Sequence, residues 1–169
     1  MKLSALFLSV VITTSVSATP ASWFNQGQLA IQDEFKVPGD NPLYFCSDPS
    51  DDILIIDNVD LDPNPPKAGE SLDIVAKGTL SKAIEEGAKV HLQVKYGLIT
   101  LINQEADLCD QVKNVDLECP LHKGDMTLMK SVDLPKEIPP GNYQVLADVF
   151  TKDGDKITCL TASIAFHRL

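Results

Sequence analysis

Residues 88–98, AKVHLQVKYGL, alternate apolar and polar side chains. Ala88, Val90, Leu92, Val94, Tyr96 and Leu98 fall on one side, and Lys89, His91, Gln93 and Lys95 on the other. Only an extended strand has a period of two, because its successive side chains point to opposite faces. The polar row marks an antiparallel strand with one face in water. The period returns in ESLDIVAKGTL (70–80), with Leu72, Ile74, Ala76 and Leu80 on one side, and ILIIDNVDLD (53–62) reads as a longer apolar strand. The stop PNPPKAG follows that strand. DMTLMKSVDL (125–134), NYQVLADVF (142–150) and KITCLTASIAF (156–166) are further strands. TKDGD joins the last two, and its Asp153-Gly154 suits a hairpin turn that needs positive φ. Residues 81–89 read as a helical turn or, better, a charged connection, and residues 103–118 as irregular and acidic. About seven short strands, with turns every ~8–15 residues, predict an all-β, immunoglobulin-like sandwich of antiparallel strands in two sheets. It is not a true immunoglobulin domain, because the single Trp lies outside the strand region and no Cys…Trp…Cys order exists.

The N-terminus has a different character. Met1-Lys2 is a short basic start, Leu3 to Val16 is mostly apolar, and Val16-Ser17-Ala18 supplies small residues for cleavage. Residues 1–18 therefore read as a secretory signal peptide. The apolar run falls short of the ~18 residues of a spanning helix. Residues 19–37 show no sustained alternation and read as a propeptide or N-terminal extension. The sandwich domain is expected over 38–169.

The four cysteines, Cys46, Cys109, Cys119 and Cys159, suit an oxidising compartment and two disulfides. Three pairings are open. Cys109 and Cys119 flank a short segment and are placed to close a small loop, which would leave Cys46 and Cys159 to join the domain's beginning to its end. A metal site is a poor fit: there is no CxxC, and His91, His122 and His167 lack ligand spacing.

The chain carries a net charge of −10. Residues 1–18 hold one of the 14 bases and none of the 24 acids, so their removal leaves 13 against 24, or −11. No basic stripe is available for phosphates, so nucleic acid is excluded as a partner. Anionic membranes repel the protein at neutral pH, and the sequence pI of 4.6 implies that an acidic compartment removes most of that repulsion.

Catalytic signatures are missing: GxSxG, HExxH and phosphate-binding glycine loops do not occur. The expectation is that the chain is not an enzyme and has no cofactor. The small inner faces are more informative. Tyr143, Val145, Ala147 and Val149 make one, and Ala76 and Gly78 lie in another. Packed sheets stand about 10 Å apart when their side chains interdigitate. Small side chains fill that gap poorly, which predicts either close packing or an apolar cavity for an apolar ligand. The connection 131–143, SVDLPKEIPPGNY, adds Leu134 and Ile138 to a Pro-rich loop that would otherwise face water.

VPGDNPLYFC (37–46), CPLHKGDMTL (119–128), DLPKEIPPGNYQVLADVFTKDGDKITCL (133–160) and the four-Cys framework resemble the fungal phosphatidylglycerol/phosphatidylinositol transfer proteins. These sit in the lipid-recognition family that includes the soluble Niemann–Pick type C sterol carrier. The resemblance implies a lipid held between the sheets and the pairings Cys46–Cys159 and Cys109–Cys119. It also implies a propeptide before Val37-Pro38 and a vacuolar or secreted location. Carried onto this chain, the family's portal positions fall at Leu101, Leu134 and Ile138-Pro139, where the loss of aromatic side chains implies a broader range than sterol.

The expected function is therefore a soluble carrier of sterol or phospholipid. It makes transient membrane contact and delivers to a membrane or to a membrane sterol-transport protein. The expected lipid-binding residues are Val94, Tyr96, Leu101, Leu134, Ile138, Pro139, Val145 and Val149. The alternative is a secreted adhesion or interaction module with a solid core.

Overall fold

The computed structural model describes residues 35–167. The expectations for 1–18 and for most of 19–37 lie outside the described residues. Among the described residues, eight strands form: β1 (Leu43–Phe45), β2 (Leu54–Asp62), β3 (Ser71–Leu80), β4 (Lys89–Tyr96), β5 (Ile99–Asp107), β6 (Gly124–Asp133), β7 (Gly141–Phe150) and β8 (Lys156–Phe166). A short helix, α1 (Leu108–Val112), and a 3₁₀ turn (Lys113–Val115) join β5 to β6. The order is β1-β8-β7-β4-β5 in one sheet and β2-β3-β6 in the other. Every pairing is antiparallel. This is the two-sheet all-β architecture that the alternation predicts. No helix among the described residues is long and apolar enough to cross a membrane.

Three details depart from the sequence reading. β5 runs on to Asp107, so Asn103–Asp107 form a strand rather than an irregular segment, paired with Lys89–Gln93 of β4. Polar residues are tolerated there because β5 is an edge strand, where side-chain packing gives little preference and charge discourages further pairing. β4 ends at Tyr96, and Leu98 sits fully exposed in the turn instead of on the apolar face. The connection 81–89 hides a core residue: Ile84 is fully buried and exchanges backbone hydrogen bonds of 2.9 Å with Leu121.

Two inner faces become a domain only where they are joined. At one end of the sandwich Ile53, Leu80, Ile84, Ala88, Val149 and Ile157 form a packed core, with Val90, Leu108 and Leu121 against it. Ile53 crosses between the sheets there: its N–H donates to Lys156 O of β8 (3.2 Å), and its carbonyl accepts from the Ser81 N–H beyond β3 (2.9 Å). Disulfide Cys109–Cys119 closes the α1 connection at this end, and Cys46–Cys159 holds the loop after β1 on β8. These are the pairings the resemblance implies.

A second join runs along one side. Val37–Asn41 lies beside β2, with Val59 N–H donating to Pro38 O (2.9 Å) and Leu61 N–H to Asp40 O (2.9 Å), before the chain enters β1 of the other sheet. Val37 is fully buried, so Phe35–Val37 belong to the fold although they fall within the 19–37 extension. Gly39 has φ +105°, and a Cβ there would lie 2.2 Å from Val59 O, so only glycine lets the strap approach β2 this closely. Asn41, 4% exposed, fastens the strap. Its Nδ2 faces the carbonyls of Val37, Pro38 and Val59 at 3.3, 3.1 and 2.8 Å, and its Oδ1 accepts from Leu43 N–H at 2.8 Å.

Asp52, in the loop just before Ile53, is also buried. One oxygen lies 3.4 Å from Lys156 Nζ, and the other has no partner. Burial pushes its carboxyl above the ordinary 3.8; Lys156 opposes the shift, and Asp148 and Asp51 add to it.

Two measurements test these joins. Asn41→Ala leaves buried backbone groups unpaired, and urea unfolding is expected to show a loss of about 2–3 kcal/mol. Because the Asp52 carboxyl titrates higher in the folded than in the unfolded chain, folding gains stability as pH falls through the folded value. That gain is complete below the unfolded value. Asp52→Asn removes the desolvated charge, while Lys156 keeps Ser47 Oγ at 2.9 Å. The variant is expected to melt at or above wild type at pH 7, with the gap closing towards pH 4.

Candidate functional site

Between the sheets lies an apolar cavity of about 260 Å³. β2 contributes Leu54, Ile56 and Val59, β3 contributes Ile74, Ala76 and Gly78, and β6 contributes Met126 and Leu128. Leu43 of β1 and Leu160 of β8 close it from the five-stranded sheet. Lys77 borders it too, but its register opposite Thr127 turns its side chain to the outer face. The walls follow from the alternation: at the cavity the row of each strand that faces the partner sheet is apolar, and Ala76 and Gly78 leave the middle of β3 unfilled. The walls are almost wholly apolar, so water that enters the space finds few hydrogen-bond partners and an apolar occupant is favoured over it.

Among the described residues, the far side of the sandwich is joined only by the α1 connection at the core end. The strap sits on the β1 and β2 edges, which leaves β5 and β6 as the opposite pair. Inner-row residues there remain in water: Ile99 and Ile102 of β5 are 61% and 38% exposed, and Val132 of β6 is 39% exposed. The end remote from the core is framed by aromatics. Tyr96 and Tyr143 rings lie 5.1 Å apart, and Phe166 meets Tyr143 edge-on at 5.4 Å. Tyr143 donates to Pro139 O (2.9 Å) and Tyr96 to Pro140 O (3.0 Å). Burial pushes the Tyr143 phenol up, so it stays a neutral donor. Gly141 has φ +148°, and a Cβ there would meet Tyr96 at 2.5 Å, so the Pro139–Gly141 turn packs directly on that ring. The turn is thereby held at this end of the sandwich by two hydroxyls and a ring face.

The residues expected to bind lipid fall into three places. Val149 is in the packed core, away from the cavity. Val94 and Val145 are paired in register on the half-buried inner face of β4 and β7. Tyr96 and Pro139 belong to the aromatic-framed end remote from the core, and Leu134 and Ile138 are half-buried in the connection that leads to it. Leu134 is fixed by its N–H to Glu70 O (3.0 Å) and its carbonyl to Gly69 N–H (3.1 Å). Leu101 is 55% exposed and skipped in the β4–β5 register, where Val94 pairs with Ile102 and Lys95 with Thr100. None of the eight lines the 260 Å³ cavity itself. Its walls come mainly from β2, β3 and β6, whose alternation was legible in the sequence. What that alternation lacked was any sign of which sheet would stay uncovered.

Known proteins bear on this geometry. Residues 40–166 match the family described as ML domain. A phosphatidylglycerol/phosphatidylinositol transfer protein of Aspergillus fumigatus is 64% identical over 149 residues, covering 88% of this chain and 85% of its own length. A protein of the same name from Pyricularia oryzae is 54% identical over 169 residues, 99% of this chain and 94% of its own. Among solved structures, a Niemann–Pick type C2 protein from the Japanese carpenter ant aligns with TM-score 0.51 at 14% identity, over 74% of this chain and 98% of its own. Chicken MD-1 complexed with lipid IVa aligns with TM-score 0.51 at 21% identity, over 73% and 87%. At those identities the solved structures speak for the fold alone. With its profile match, its relatives and its two unequally joined sheets in agreement, the chain belongs to the ML-domain family.

Proposed function

We propose that this protein is a lipid carrier, which takes a phospholipid or sterol into the inter-sheet cavity and moves it between membranes. The apolar cavity, in a sandwich joined along one side and open along the other, carries this reading. Close relatives named for phosphatidylglycerol and phosphatidylinositol transfer support phospholipid as the cargo. At 260 Å³ the cavity is slightly below the ~300–1,000 Å³ usual for small-molecule sites, so it suits part of a lipid, with the remainder along the open β5–β6 side. Each methylene buried is worth about 0.8 kcal/mol, so ten of them supply roughly 8 kcal/mol of affinity without any polar contact.

Transfer also needs contact with a bilayer. The β4–β5 hairpin offers it beside the open β5–β6 side and the aromatic-framed end, which together form the mouth in this reading: Leu98 is fully exposed at the tip, and Ile99 and Leu101 follow at 61% and 55%. The protein works in the secretory pathway, in the vacuole lumen or outside the cell, where its disulfides persist. A membrane sterol-transport protein is a further recipient. An adhesion module would call for a solid core, which the cavity disfavours.

Organic extraction followed by mass spectrometry is expected to recover lipid from purified protein; a lipid-free protein that takes up none in vitro would sink the proposal. Ala76→Trp is expected to fill the cavity and lower phospholipid binding at least tenfold while the far-ultraviolet dichroism is kept. Leu98→Asp separates the second step: equilibrium binding should stay within twofold of wild type, while transfer between vesicles falls severalfold.

A further inference from the structure

Alternation also fixes which side chains face between the sheets. In β6, Met126 and Leu128 line the cavity, and the even-numbered row is the less exposed one from Gly124 to Lys130. Lys130 belongs to that row and is half-buried. It pairs in register with Ile74, itself a cavity residue. The matching rows of β2, β3, β4 and β7 are apolar, and the polar residues on the others are uncharged, such as Gln104 and Thr158. Among the described residues Lys130 is the one charged side chain on the inner row of any strand, and it has no ion pair. It stands two positions beyond Leu128 of the cavity wall and two before Val132 at the open side, between the two regions.

An ammonium on an apolar wall needs water or an anion. Charge-assisted hydrogen bonds to a phosphate are shorter and roughly twice as strong as neutral ones. We propose that Lys130 holds the phosphate of an anionic phospholipid at the mouth while an acyl chain lies in the cavity. This rests on the lipid-carrier reading and adds the headgroup class to it. A ligand without a phosphate gains nothing from Lys130, so this residue sets selectivity rather than overall capacity.

The test compares phosphatidylglycerol with diacylglycerol of the same fluorescent acyl chains, which differ by the phosphate headgroup. Lys130→Met is expected to weaken phosphatidylglycerol binding about tenfold and to leave diacylglycerol within twofold. Lys130→Arg should keep the preference, and added salt should erode it. Glycerol phosphate, the headgroup with no chain, should not displace bound phosphatidylglycerol at equal concentration; displacement would assign the residue to free phosphate and overturn the proposal. An equal loss for both lipids in Lys130→Met means that the side chain only packs the wall. No loss for either means that the ammonium merely reaches water, and both results overturn the proposal. Lys130→Gln, judged by melting temperature, guards against a folding defect. Wild-type protein that binds neither lipid would overturn the carrier reading itself, a result distinct from losing only the preference.

Discussion

The two sheets are fastened on one side and at one end, and nearly everything else follows from that asymmetry. Ile53 hydrogen-bonds to both sheets, the Val37–Asn41 strap bridges their β1 and β2 edges, and the core around Ile84 fills the end between them. Beyond the α1 connection at the core end, the described residues make no comparable join along the β5–β6 side, where inner-row isoleucines and a valine remain in water. Burying them would take either a wider second sheet or a closer approach of the present one. The strap and the core limit the approach, and three strands cannot cover five.

The same asymmetry separates stability from function. Residues at the joined end, such as Leu80, Ile84 and Ile157, are buried and make the fold. Residues of the cavity wall, such as Ile74, Ala76 and Leu128, are half-exposed and contribute less to folding because they lack partners across the gap. An apolar wall without partners binds by area and not by shape, which suits cargo with flexible chains. Discrimination among such cargoes must come from polar groups. Among the described residues the inner rows supply few of these, and only Lys130 is charged.

The proline-rich connection shows how a loop with apolar residues is held in place. Pro135, Pro139 and Pro140 restrict the backbone, and Tyr96 and Tyr143 then pin it through the Pro139 and Pro140 carbonyls. Those two hydroxyls come from neighbouring strands of the five-stranded sheet, with Tyr96 and Tyr143 directly opposite in register. The loop is therefore positioned by the sheet it borders. Leu134 has anchors of its own in the backbone bonds to Glu70 and Gly69, and Ile138 directly precedes the pinned Pro139.

Strand identity and inner-facing rows were legible in the sequence, because side chains alternate with a period of two wherever one face is buried. The apolar rows of β3, β4 and β7 could be read residue by residue, and the leucine, isoleucine and proline of the 131–143 connection stood out as apolar residues where water was due. β5 was not read as a strand, because an edge strand tolerates polar residues such as Asn103–Asp107, and Ile84 was missed because a single buried residue has no period. Cysteine count and context gave two disulfides, and resemblance rather than spacing gave their pairing. What the chain could not show in one dimension was which rows would meet. Val149 entered the core and Val94 did not, although both belong to alternating rows of adjacent strands. The tertiary structure decided this through the strap, the Ile53 crossing and the unequal width of the sheets, because packing depends on distances between strands far apart in sequence.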